Sequence, residues 1–218
     1  MKLGIIGLEQ SGKTTVFNAL TGADKEVGSF GKIEANIAMV KVPDERIDWL
    51  SELYNPKKTV HADIEFVDIP GGINDSSDPK IVAAARETDA LIFVIRAFEN
   101  PEVPHPHTTI DPMRDLGYVE MGLLVSDMTI TEKRLEKLRA LATKGAVSDE
   151  EKLELSVLEK VMAQLEIEEP VSSADLTDQE EKAIRSFQFL TLKPSLTLLN
   201  ISDDALKADN TQKYTHDL

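Results

Sequence analysis

Gly7-Leu8-Glu9-Gln10-Ser11-Gly12-Lys13-Thr14 follows the spacing G-x-x-x-x-G-K-[ST], an arrangement suited to holding phosphate. Gly7 and Gly12 allow backbone angles and close approaches that a side chain forbids. Successive N–H groups from Leu8 to Thr15 can then cradle phosphate oxygens at a helix N-terminus, where the helix dipole favours negative charge. Lys13 is placed to reach the outer phosphates, and the Thr14 hydroxyl to bind Mg²⁺. A second group is Asp68-Ile69-Pro70-Gly71. At the end of a strand, Asp68 can hold the metal through water while the Gly71 N–H faces a terminal phosphate. On its own, D-x-P-G is also a common turn. A third is Asn200-Ile201-Ser202-Asp203, which keeps the Asn and Asp of the guanine-reading pattern Asn-Lys-x-Asp but has Ile201 for Lys. Contact of Asn200 and Asp203 with a base competes there with a plain helix cap by Ser202 or Asp203.

These residues need strands to aim them, and the apolar runs supply candidates. Leu3–Ile6, Ile64–Val67, Ala90–Ile95 and Ser195–Leu199 are short, rich in Ile, Leu, Val or Phe, and read as buried parallel strands. Ala35–Val42 alternates and suits an edge strand. Helical segments lie between most of them, starting with Thr14–Leu20, so the expected fold is α/β: a three-layer P-loop domain with a mostly parallel sheet. From about 125 to 190 the pattern becomes helical, with Ile130, Leu135, Leu138 and Ala142, then Leu153, Val157, Val161 and Leu165, at helical spacing. Lys144-Gly145 separates two helices; Ser148 with Glu151, and Thr177 with Glu180, are capping-box signatures. With 15 acidic and 9 basic residues, this stretch reads as a solvated α-helical, coiled-coil hairpin inserted at 126–190. Residues 1–125 and 191–218 are then the nucleotide-binding domain. Asp203–Leu218 shows neither a further strand nor a closing helix, so that domain is expected to be incomplete at its C-terminal end.

Composition narrows the function. The 218 residues contain 24 basic and 39 acidic side chains, for a net charge of −15. A field of that sign opposes sequence-blind contact with phosphate backbones, so direct DNA recognition is not expected. There is no cysteine, which removes thiolate metal sites and disulfides. No apolar run approaches the ~18–20 residues of a membrane span, and the short apolar start is no signal peptide. A cytoplasmic protein without membrane contact is the expectation. His105-Pro106-His107 reads as a surface pair rather than a metal site. Trp49 and Tyr54 read as core residues of a helix over Glu45–Tyr54, and Glu166, Glu168 and Glu169 as the solvated end of the hairpin.

Several stretches together resemble the YchF-type Obg-like ATPase family, a branch of the translation-factor-related P-loop GTPases. They are Asn36–Asp44 (NIAMVKVPD), Phe66–Gly71 (FVDIPG), Arg86–Ala90 (RETDA), Asp111–Asp115 (DPMRD) and Lys133–Leu138 (KRLEKL). The likeness implies a P-loop domain, a coiled-coil insertion and a C-terminal TGS domain, the last not found within these 218 residues. It also implies slow ATP hydrolysis, often preferred over GTP, and association with ribosomes or a translation factor.

The departures fall on switching and base choice. That family's first switch carries a Thr that reaches Mg²⁺, whereas here Gly28–Glu34 (GSFGKIE) stands in its place and no Thr occurs between Thr21 and Thr59. Ser29 could substitute, or Lys32 could neutralise phosphate charge. Gly72 replaces a bulky Leu, Glu9 adds a charge inside the loop, and Asp203 stands where the ATP-preferring members have Glu. Nucleotide binding is therefore expected to survive better than turnover. The expected function is Mg²⁺-dependent binding and slow hydrolysis of ATP or GTP in a molecular switch, with Lys13 and Gly71 as the catalytic groups. The alternative is a non-hydrolysing scaffold whose hairpin recruits a protein. A small-molecule kinase fits less well, because its lid would be rich in Arg and this insertion is rich in Glu.

Overall fold

The structure, a computed structural model, describes residues 1–24, 35–72 and 79–207. Its five strands are β1 (Lys2–Ile6), β2 (Asn36–Lys41), β3 (Asp63–Asp68), β4 (Ala90–Arg96) and β5 (Ser195–Asn200). They form one sheet in the order β2-β3-β1-β4-β5, parallel except for β2, which runs antiparallel to β3. β4 is buried at every position, as its unbroken apolar sequence requires of a strand covered on both faces. The sheet order brings the C-terminal ends of β1, β3, β4 and β5 to one edge, where all three candidate motifs lie.

α1 (Lys13–Thr21) covers one face, with Phe17 packed among Ile5, Phe66, Ile92 and Val94. α3 (Pro79–Arg86) and the first half of α4 (Pro112–Thr143) cover the other, around Ile6, Val67, Leu91, Phe93, Val119 and Leu123. α4 has 32 residues and, at 1.5 Å per residue, extends about 48 Å. It begins at Asp111, whose carboxylate accepts the Arg114 N–H, with Pro112 in the first turn. The helix runs unbroken through 125 and 126, where the texture of the sequence changes. Its second half pairs with α5 (Asp149–Glu166) around Leu135, Leu138, Val157, Leu158, Val161 and Leu165. Both capping boxes form as their spacing predicts, at Ser148/Glu151 for α5 and Thr177/Glu180 for α6 (Asp178–Ile184).

Three expectations need correction. α2 (Glu45–Tyr54) forms and is capped by Asp44, but it buries none of its residues; Trp49 is 61% and Tyr54 73% exposed. Because β2 and β3 are antiparallel neighbours, the chain joining them has no sheet face to cross, and α2 stands clear of the core. His105 is not a surface residue. Its imidazole is buried and its Nε2 lies 2.8 Å from the buried Asp115 carboxylate, while His107 stacks on Tyr118 at 4.4 Å. Finally, although no closing helix was expected, a short helix, α7 (Asp203–Lys207), follows β5, as the alternative of a helix cap at Ser202 requires.

Candidate functional site

β1 delivers the chain into the loop 7–12, and α1 starts at Lys13. At Gly7 an added Cβ would lie 2.4 Å from the Val94 carbonyl oxygen, so the loop can sit against β4 only with glycine there. Gly12 has φ +96°, and its Cβ would meet the Asn200 amide at 2.2 Å. Leu8 anchors the loop in the core and Ser11 is buried, while Glu9 is exposed and Gln10 adopts φ 61°. Asn200 Nδ2 donates to the Ser11 carbonyl at 3.0 Å, tying the end of β5 to the loop.

Lys13 is buried. Its ammonium donates to the Leu8 carbonyl at 2.8 Å and to that of Gly7 at 3.3 Å, folded back on the loop it belongs to. Burial pushes its pKa down to about 8, against the opposing pull of the Asp68 and Glu9 carboxylates. Behind it the Thr14 hydroxyl donates to Asp68 Oδ2 at 2.9 Å, and Asn36 Nδ2 donates to the same oxygen at 3.2 Å. Asp68 Oδ1 is buried with no hydrogen-bond partner among the described residues.

The sequence motifs therefore converge only in part. Gly7 to Thr14, Asp68 and Asn200 share one edge of the sheet, and Gly71 continues from Asp68 with Gly72 set against the backbone of Leu8 and Glu9. Thr15 is exposed on α1. Asp203 is exposed in the first turn of α7, and the Ser202 hydroxyl accepts the Ala205 N–H at 3.2 Å, as a cap does. Ser29 and Lys32 lie outside the described residues. Among the described residues no cluster of three or more His, Asp or Glu is arranged for a metal.

Some connections were invisible in the sequence. Asn36 reaches Asp68 because β2 pairs with β3 in a register that sets the two residues opposite each other. At the other end of the sheet, Asp127 of α4 is fully buried and accepts from Arg86, the Leu190 and Thr191 N–H groups and the Thr191 hydroxyl. Arg86 also donates to Ser126 and to the Gln188 carbonyl. α3 is thereby bolted to the base of the hairpin. The stretch RETDA supplies Arg86 to these contacts, but does not name its partner.

Comparison with known proteins agrees with this architecture. Residues 2–119 match a family model described as 50S ribosome-binding GTPase. The chain is 38% identical over 213 residues to a ribosome-binding ATPase, YchF, of Haemophilus influenzae, covering 94% of this chain and 58% of that protein. It is 35% identical over 223 residues to Obg-like ATPase 1 of Schizosaccharomyces pombe, covering 96% and 57% respectively. The solved structure of the Schizosaccharomyces pombe YchF GTPase superposes with a TM-score of 0.77 at 32% identity, over 98% of this chain and 61% of that one. The chain thus spans a little under three-fifths of the length of these curated relatives.

Proposed function

The chain belongs to the YchF branch of the Obg-like ATPases, within the 50S ribosome-binding GTPase family, and from that membership we propose that it binds ATP or GTP with Mg²⁺ and hydrolyses it slowly as a molecular switch. The observation that carries the reading is the pairing of a buried, pre-positioned Lys13 with an Asp68 carboxylate that has one oxygen buried and unmatched. Such an oxygen is costly to leave without a donor, and a metal-bound water supplies one. The residues present fit the ion. Thr14 offers a hydroxyl lone pair while still donating to Asp68, and Asp68 accepts through Oδ1. Bound Mg²⁺ supplies charge neutralisation on the phosphates and fixes their orientation.

This chain's own groups do the rest. Lys13 exchanges two carbonyl partners for phosphate oxygens, so its charge gains an anion in a poorly solvated place. The loop N–H groups from Leu8 to Thr15 hold the inner phosphates, and the Gly71 N–H meets the terminal one. Asn200 keeps the loop in shape through the Ser11 carbonyl, and Asn200 with Asp203 contacts the base. Residues 1–125 and 191–218 act as the nucleotide domain and 126–190 as the helical hairpin through which a partner is engaged. The ribosome is the partner in view, or a translation factor bound to it, which places the protein in the cytoplasm. No helix among the described residues is long and apolar enough to cross a membrane.

A second reading, a nucleotide-holding scaffold without turnover, is favoured by Gly72, which brings no side chain to order a water beside the loop. Single-turnover hydrolysis with Mg²⁺ separates the two. The switch reading expects a slow rate above that of free nucleotide, lost on Lys13→Ala. A rate equal to the free nucleotide leaves only the scaffold.

A further inference from the structure

Among the described residues Asp68 Oδ2 takes two donors, the Thr14 hydroxyl at 2.9 Å and the Asn36 amide at 3.2 Å, and Oδ1 takes none. The donors come from different parts of the molecule. Thr14 belongs to the phosphate loop, whereas Asn36 is the first residue of β2 and stands opposite Asp68 in the antiparallel ladder. The strand does not need this side chain, because β2 and β3 pair through their backbones. An ionised carboxylate can only accept, so the Asn36 group facing it is the amide N–H₂, a donor that carries no charge and does not titrate. It holds the carboxylate in one orientation without competing for a cation, and leaves Oδ1 free to accept.

We propose that Asn36 is a positioning residue of the Mg²⁺ site, a proposal that rests on the metal-dependent nucleotide reading above. Groups that orient a metal ligand commonly change metal affinity about 10–100-fold when removed. The chain has a particular need of one. No Thr lies between Thr21 and Thr59, so no threonine hydroxyl from that stretch can reach the ion. Asn36 is the side chain of that stretch that the described residues bring to Asp68. It couples the start of β2 to the metal ligand through a hydrogen bond rather than through a bond to the ion.

The test uses the full chain and two variants that both lack the donor, Asn36→Ala and Asn36→Leu. Leu keeps the bulk that Ala loses. Affinity for a fluorescent, non-hydrolysable nucleoside triphosphate analogue is measured as Mg²⁺ is raised from a chelated zero to saturation. The proposal expects Mg²⁺-free affinity within twofold of wild type in both variants, and the Mg²⁺ concentration for half-maximal tightening raised about tenfold in both. Midpoints within twofold of wild type in both variants would overturn it. So would a shift in Asn36→Ala alone, which would assign the effect to the strand. Wild-type affinity that ignores Mg²⁺ altogether would be a different result: it would sink the metal reading itself and the role of Asn36 with it.

Discussion

Asp68, at the end of β3, and Asp127, midway along α4, are both buried carboxylates, yet their surroundings are opposite. Asp127, at the base of the hairpin, has both oxygens filled: Oδ1 by the Arg86 guanidinium at 2.8 Å and the Leu190 N–H at 3.0 Å, Oδ2 by the Thr191 N–H and hydroxyl at 2.8 and 2.9 Å. Asp68, at the sheet edge, has one oxygen filled and one unmatched. A satisfied carboxylate is a joint, whereas an unsatisfied one retains its capacity to accept from a ligand. The molecule is finished where α3 meets the hairpin and keeps an unmatched acceptor where phosphate is proposed to bind.

The sharpest way to break that contrast is to remove each carboxylate. Asp127→Ala strands the Arg86 charge and two backbone donors, and should lower the unfolding free energy in urea by about 3–5 kcal/mol. Asp68→Asn, which keeps the shape, should change it by about 1 kcal/mol or less and instead abolish the Mg²⁺ dependence of nucleotide binding. Equal losses of stability at the two sites would dissolve the distinction.

A second test uses the pH. The folded chain holds Lys13 near a pKa of about 8, below the ordinary 10.5. Between those values the unfolded chain binds one proton more than the folded one, so this group makes the unliganded chain more stable as the pH rises through that window. Below about pH 8 the buried charge is carried at a cost. An anion that needs the ammonium must therefore draw in a proton above pH 8, and affinity should fall there by up to tenfold per pH unit. Calorimetry in two buffers of different ionisation enthalpy should show proton uptake approaching one per nucleotide at about pH 9 and near zero at about pH 6.5. Absence of uptake at the higher pH would mean that Lys13 is not the phosphate's partner.

The smallest effect belongs to the hairpin surface. Arg134 meets Glu154 bidentately at 2.7 Å, linking α4 to α5 in a partly exposed pair. A double-mutant cycle on Arg134 and Glu154 should give a coupling of about 0.5–1 kcal/mol. A coupling of several kcal/mol would mean that the hairpin is held at its surface as strongly as at its base.

What could be read in the sequence, and what could not, follows the range of the interactions. The phosphate loop is legible because strand, loop and helix are consecutive and each residue type has a local reason to be there. β4 is legible because burial on both faces leaves a continuous apolar run, whereas β5, read from a similar run as a buried strand, is an edge strand with Leu196 exposed and no residue fully buried. Both capping boxes are legible because their partners are three residues apart. Asn36 with Asp68 and Arg86 with Asp127 depend on strand register and on helix docking between residues far apart in the chain, which no local pattern records. Trp49 and Tyr54 mislead for the complementary reason: apolar residues at helical spacing describe a face, but only the antiparallel step from β2 to β3 decides that α2 stays off the core and leaves both exposed. His105 misleads because its partner Asp115 is brought to it by the start of α4.

The decisive experiment is a calorimetric titration of the full chain with non-hydrolysable ATP and GTP analogues, each with Mg²⁺ and with a chelator. Tight binding of one analogue that weakens when Mg²⁺ is removed is the result expected from the proposed roles of Lys13 and the loop toward phosphate and of Thr14 and Asp68 toward the ion. Absence of binding by either analogue, with the chain folded, would contradict the reading of this sheet edge as a nucleotide site.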